Sequence, residues 1–456
     1  MPAEGRHWGT ECPAEGRHGL HWGTGVPAEG RHWPALGHGV PGRRRARRCP
    51  FGIVCILGQI TDLIHQVYLV QDYVDSFDED ALLVLLDMEK AFDRCSLDFL
   101  KKSMQALGLG KDIRRWIHAI YDNERPPERK IKINGEKSYQ FALGSGVAEG
   151  CPQSPLLFLF IGEPLTRMLE NDERLKGVTI GEHEHTVGQF ADDTAAMLEG
   201  YQHLKKLFEI VNKWERATGM ACNRSKTALI PMGSTRKEEI PEEILRELDL
   251  PKPSEEPYEI YLGAPVASDK SIYKEFLKEK YRATKSKMAS WKLNQYTQKG
   301  RAMIANTLVS SRLRYWAQFM LIPKSINKSL DADIQALIWN KEIKFDADED
   351  GTEKVNRRFM TKGAEHNSTQ ELGLGLLHWP SHTEALLAKA ALSYRDATNS
   401  DWKLILDQWI AKGRDEQRGA IFTTDPEKFK HRGKNGGAAQ RLSPFCGGRR
   451  SKHLGN

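Results

Sequence analysis

The sequence predicts an α+β fold in which a small antiparallel sheet is backed by helices. Ala81-Leu82-Leu83-Val84-Leu85-Leu86 is a continuous apolar run of strand length that ends on Asp87, the pattern of a buried strand delivering an acid at its end. Thr186 to Phe190 and Thr194 to Leu198 read as two short strands that leave Ala191, Asp192 and Asp193 at a hairpin tip. Around them apolar residues recur at helical spacing, first at Ile60, Leu63, Ile64, Val67, Tyr68 and Val70. Taken alone, an Asp pair in a turn is most often simply solvated, because Asp favours turns over strands. The third acid, Asp87, raises the functional reading. Three carboxylates brought together repel one another unless a divalent cation sits among them, and hard oxygen ligands select magnesium or manganese.

At 456 residues, 39% hydrophobic and 28% charged, the chain has room for about two or three domains with real cores. Its seven cysteines are scattered without a CxxC pair, which predicts a reduced intracellular protein without a zinc module. No apolar run approaches the roughly 20 residues of a membrane helix, and the polar start at Met1 is no signal peptide, so no membrane partner is expected. The formal charge is +6, but residues 1–50 contribute +4 and residues 428–456 contribute +8, leaving −6 for everything between. Net charge therefore argues nothing about nucleic acid. A local stripe is more telling: from Lys274 to Trp316 there are eleven Lys or Arg against two Glu, interleaved with Tyr281, Trp291, Tyr296 and Tyr315. It suits tracking a phosphate backbone, and a solvated helix face explains it equally well.

Taken in order, residues 1–50 repeat Pro-Ala-Glu-Gly-Arg-His at Pro2, Pro13 and Pro27 and end in the basic run Arg43 to Arg48. They offer no periodic apolar face, so a disordered, low-complexity basic segment is expected. The Arg run suits a nuclear localisation or RNA-binding tail, and translated repeat without a role explains it as well. A helical pattern runs from Phe51 to about Asp75, and Ser96 caps a predicted helix from Leu97 to Leu107 that Gly108 stops. A second helix covers Asp112 to Tyr121, and Arg129 to Ile133 and Lys137 to Phe141 alternate around Asn134-Gly135, a strong hairpin signal. The loop from Gly144 to Pro155 holds three glycines and opens the helical run Leu156 to Leu169. Such a loop allows close approach of a ligand to a helix N-terminus, while a plain loop is the commoner case for an isolated stretch of this kind. His183 and His185, with no third ligand in view, read as exposed loop residues rather than a metal site.

This order of motifs resembles the palm of a reverse transcriptase of non-LTR (LINE-type) retrotransposons. Leu86-Asp87-Met88-Glu89-Lys90-Ala91-Phe92-Asp93 matches motif A, Gly150-Cys151-Pro152-Gln153-Ser154-Pro155-Leu156-Leu157-Phe158 matches motif B, and Phe190-Ala191-Asp192-Asp193-Thr194 matches motif C. Gly219 to Thr227 and Tyr261-Leu262-Gly263 are weaker matches to motifs D and E, and Gly300-Arg301, Trp339-Asn340 and Leu372 to Leu376 look like thumb and post-thumb. The resemblance implies a right-hand polymerase palm with a small antiparallel sheet and partial fingers, followed by a helical thumb. It divides the chain into residues 1–50, a fingers remnant and palm over 51–265, a thumb over 266–345, a post-thumb helical segment over 346–427, and a basic disordered tail over 428–456. It implies RNA-directed DNA polymerase activity on an RNA template and DNA primer with deoxynucleoside triphosphates, in a nuclear or ribonucleoprotein setting.

By the same resemblance Asp87, Asp192 and Asp193 are the catalytic and metal-binding residues for two Mg2+ or Mn2+ ions, which sit roughly 4 Å apart in two-metal sites. Phe92 matches an aromatic gate against the 2′ hydroxyl, Glu149 and Gly150 fall where the incoming nucleotide is contacted, and Lys226 matches a basic residue near the phosphates. Two departures stand out. Motif B in these elements usually carries a neutral Gln where this chain has Glu149, and a carboxylate beside a triphosphate weakens binding. The family's triphosphate-gripping fingers segment is replaced by residues 1–50, and the element before the first helix is eroded to Val54-Cys55-Ile56-Leu57-Gly58, which implies a truncated fragment. Two functional expectations follow: an RNA-directed DNA polymerase, or an inactive remnant that at most binds RNA.

Overall fold

The computed structural model describes residues 59–121, 128–142, 144–253, 256–291, 293, 295–339, 363–394 and 400–413. The repeat-rich start, the eroded element Val54 to Gly58, most of the polar stretch from Asp346 to Ser368 and the basic tail lie outside the described residues.

Helix α1, Ile60–Phe77, starts at a capping box between Gln59 and Asp62 and ends where Asp78 turns left-handed at φ 52°. Strand β1, Asp80–Leu86, follows and is buried from Ala81 onward. Helix α2, Leu97–Ala106, is capped by the Ser96 hydroxyl, which accepts from the Phe99 N–H. In helix α3, Lys111–Ile120, Ile117 is buried, while Trp116 stands 74% exposed. The Asn134-Gly135 signal is a real turn: both residues take positive φ, 49° and 95°, as a two-residue hairpin turn requires. Its strands are short, Lys132–Ile133 against Glu136–Lys137, with Glu128–Arg129 pairing Phe141–Ala142 beyond them.

Helix α4, Ser154–Asn171, carries Pro155 in its first turn, where the missing N–H costs nothing. Strands β2, Val187–Phe190, and β3, Asp193–Leu198, form the hairpin, helix α5 spans Leu204–Thr218, and strand β4 spans Ala228–Gly233. The four strands make one sheet in the order β4-β1-β3-β2, antiparallel at every pairing. That is the small palm sheet, and the α+β class stands.

The unbroken apolar run of β1 has a simple cause: both faces of the sheet are covered. Ala81, Leu83 and Leu85 join one buried cluster with α1, and Leu82, Val84 and Leu86 join the other with α2, α4 and α5. The first cluster continues far beyond the sheet. Past the hairpin of β5, Glu259–Tyr261, and β6, Ala264–Val266, come helix α6, Ile272–Ala289, and a helical stretch from Gln298 to Arg314 with a π-helical turn at Ala305–Val309. Helices α7, Lys324–Ile338, α8, Trp379–Tyr394, and α9, Asp401–Gly413, follow among the described residues. Phe276, Phe319, Ile338, Trp379 and Ile405 all belong to the cluster that begins at Ile64. The expected thumb and post-thumb helices thus share one core with the palm sheet.

The reading of His183 and His185 as exposed loop residues is corrected. They form a short strand paired with Val178–Ile180, and His185 is only 5% exposed, because α9 packs against this ribbon. Among the described residues no helix is long and apolar enough to cross a membrane.

Candidate active site

The register of the sheet brings the three acids to one end. Leu86 pairs with Thr194, so Asp87 leaves β1 where Asp193 enters β3, and Phe190 pairs with Asp193 around the hairpin tip. Asp192 sits half-buried at that tip, while Asp87 and Asp193 are exposed. The carboxyl of Asp193 is held above the ordinary range, first by loss of solvent and then by the charges of Asp192 and Asp87. Since the residue as a whole remains open to water, the repulsion is the more telling cause. The two other acids act on it across the sheet edge.

The segment after Asp87 is clamped by the residues matching motif D. Met88 bridges Cys222, the Glu89 N–H donates to Ala221 O at 2.8 Å, and the Asn223 N–H donates to Asp87 O at 2.8 Å. Arg224 is itself anchored, donating to Asn212 at 2.6 Å and Glu215 at 3.2 Å. Lys226 therefore stands exposed on a short turn, Arg224–Lys226, that hangs from the strand holding Asp87.

Phe92 is half-buried, with its ring 5.4 Å from that of Phe158. Its carbonyl accepts from the Val147 N–H at 2.8 Å, and the Gly146 N–H donates to Cys95 O at 2.9 Å. A Cβ on Gly146 would lie 2.7 Å from the carbonyl oxygens of both Phe92 and Asp93, on a backbone with φ +84°. The close approach that the glycines of this loop were expected to make to a ligand is thus made, at Gly146, to protein backbone. Gly150 differs: it takes φ +75° with nothing within 4 Å of a Cβ. Glu149 beside it is exposed.

One contributor escaped the sequence reading. Gln189 is buried in β2 two residues before the tip, where its amide donates to Ala191 O at 3.2 Å and accepts from the Thr166 hydroxyl of α4. Tyr261 donates to Gly188 O at 3.2 Å, and Trp316 donates to Gly263 O at 2.9 Å, tying β2 through the β5–β6 hairpin to the segment that follows the Gln298 to Arg314 helical stretch. A Gln among apolar strand residues was the available signal.

Magnesium or manganese fits the donor chemistry of this edge, since three carboxylates supply hard oxygen and Asp193 already carries the repulsion that a cation relieves. Among the described residues, however, no group of three or more His, Cys, Asp or Glu side chains is gathered closely enough to enclose an ion. The acids are neighbours, not a finished cage.

Residues 36–256 match the family described as reverse transcriptase (RNA-dependent DNA polymerase). A 149 kDa uncharacterised protein of transposon TX1 from Xenopus laevis is 26% identical over 263 residues, covering 56% of this chain and 19% of that protein. A Pol polyprotein of the type-1 retrotransposable element R2 from Popillia japonica, described as retrovirus-related, is 27% identical over 154 residues, covering 34% of this chain and 21% of its own length. The chain thus spans about a fifth of these curated relatives. Among solved structures, apo telomerase from Candida tropicalis truncated from its C-terminal domain is similar at 14% identity and a TM-score of 0.33, covering 45% of this chain and 38% of that one. That likeness is too loose to bear on the fold.

Proposed function

Because residues 36–256 belong to the reverse transcriptase family, in its LINE-type branch, we propose that this chain extends a DNA primer on an RNA template by transferring nucleotidyl groups from deoxynucleoside triphosphates. The observation that carries the reading is the convergence of Asp87, Asp192 and Asp193 at one sheet edge, expressed in the raised carboxyl of Asp193. These three hold two divalent cations of the kind reverse transcriptases generally use, preferably magnesium. When bound, such a pair stabilises the attacking 3′ oxygen and the leaving pyrophosphate.

The chain's own residues supply the rest. Phe92, propped on Phe158, presents bulk against a 2′ hydroxyl and so favours deoxynucleotides. Gly150 lets the loop before α4 pass close beneath the incoming base. Lys226 offers a cation to the phosphates from its exposed turn. Glu149 opposes them, and replacing it with Gln strengthens nucleotide binding.

The test is primer extension on an RNA template by the purified chain with magnesium or manganese, beside Asp192→Ala. Extension that the substitution abolishes supports the reading. A second reading, RNA binding without chemistry, is favoured by Glu149, whose carboxylate stands exposed in the loop before α4. Salt-sensitive RNA binding with no extension, even after Glu149→Gln, would establish it instead.

A further inference from the structure

We propose that Gln189, Thr166 and Gly162 form a positioning device that fixes the backbone of the Asp192-Asp193 turn from the side of helix α4; the assignment of the turn as catalytic rests on the function proposed above. Ala191 immediately precedes Asp192 and takes φ +54°, the left-handed region that is strained for a residue with a Cβ. Such a conformation persists only where surrounding contacts hold it. The Gln189 amide is that contact: its Nε2 donates to Ala191 O at 3.2 Å. The other end of the same amide, Oε1, accepts from Thr166 Oγ1. Both residues are buried. The Thr166 bond also orients the amide, since it leaves the nitrogen rather than the oxygen facing Ala191.

Gly162 completes the arrangement. A glycine inside a helix is destabilising against alanine, and here there is a reason for it. A Cβ at this position would stand 2.8 Å from Gln189 Nε2 and 3.6 Å from Ala191 O. One bare turn of α4 makes room for the amide, the next supplies the hydroxyl, and the amide grips the turn. The helix that opens the nucleotide-facing loop is thereby coupled to the acids through one side chain.

The experiment uses the full chain and four variants: Gln189→Leu, Thr166→Val, the double variant, and Gly162→Ala. The first readout is hydrogen exchange over residues 189–193, which needs no activity. Gln189→Leu and Thr166→Val each speed it roughly threefold to tenfold, as loss of one buried hydrogen bond does, without a matching loss of RNA binding. The double variant adds little to the larger single effect, because both substitutions break one chain of bonds. Gly162→Ala, which displaces the amide, acts in the same direction. The second readout is primer extension, where kcat falls roughly tenfold to hundredfold with KM for nucleotide nearly unchanged, the signature of misplaced reacting groups. Unchanged exchange in Gln189→Leu, or fully additive effects, would overturn the positioning role whatever the enzyme does. Faster exchange in the variants, with a wild-type chain that extends no primer, would instead sustain the device and overturn the polymerase reading.

Discussion

At Asp193 a partial loss of solvent and the two neighbouring carboxylates push in one direction, keeping its carboxyl above the ordinary range. The sign of the linkage follows: the folded chain binds this proton more tightly than the unfolded one, so the group contributes stability in acid and loses it as pH rises through the elevated value. Asp193→Asn removes a repelling charge, and without divalent ions its melting temperature at neutral pH should rise slightly above wild type. Manganese should raise the melting temperature of wild type more than that of the variant, and a larger gain in the variant would rule out a role for Asp193 in holding the ion. Phe92 offers a separate test. Phe92→Ala should lower the preference for dATP over ATP by roughly 10- to 100-fold, as expected when a pocket gains room for a small group. Its half-buried packing on Phe158 also predicts a stability loss of roughly 2 kcal/mol, less than a fully buried Phe forfeits. Loss of stability with preference intact would make it a packing residue alone. The three acids were legible because carboxylates ending apolar strands are a local pattern. Gln189 was not, since nothing in its own segment says that α4 brings Thr166 to it.

Elements whose residues alternate or repeat cleanly were read well from the chain. The predicted helix from Leu97 to Leu107 forms as Leu97–Ala106 with Ser96 as its cap, and the predicted strands of the acidic hairpin form within a residue of their expected bounds. The ribbon of His183–His185 was misread because its burial comes from a helix more than 200 residues later in the chain. The His185 pKa is lowered to about 4, chiefly by burial and in lesser part by the nearby His183, with Asp401 and Glu184 opposing the shift. Here the sign is opposite to that of Asp193: the unfolded chain takes the proton first, so stability is present above the usual histidine range and is lost as pH falls from about 6.5 toward 4. Thermal melts between pH 7.5 and 5 should show that decline in wild type and a flatter profile in His185→Leu. Equal slopes would mean that the ribbon opens without protonation.

Across the whole molecule, one buried cluster joins α1, one face of the sheet and the helices out to α9. Trp402 of α9 is buried, stacks 5.3 Å from His65 and donates to Asp62 at 3.1 Å. Trp402→Ala should therefore cost about 3–5 kcal/mol, and urea unfolding followed by fluorescence and by far-UV circular dichroism should remain one coincident transition at a lower midpoint. Two separated transitions would show that the thumb side unfolds without the palm. The sequence by itself determined strands β1, β2 and β3, the Ser96 cap, the turn at Asn134-Gly135 and where the carboxylates fall, because each depends on residues close in the chain and on a period of two or 3.6. The tertiary structure alone decided that Gly146 meets the backbone of Phe92, that His185 is buried, that Gln189 grips the acidic turn, and that the helices out to α9 share a core with the sheet. Each of those depends on segments distant in the chain coming together, and neither local periodicity nor composition encodes which ones meet.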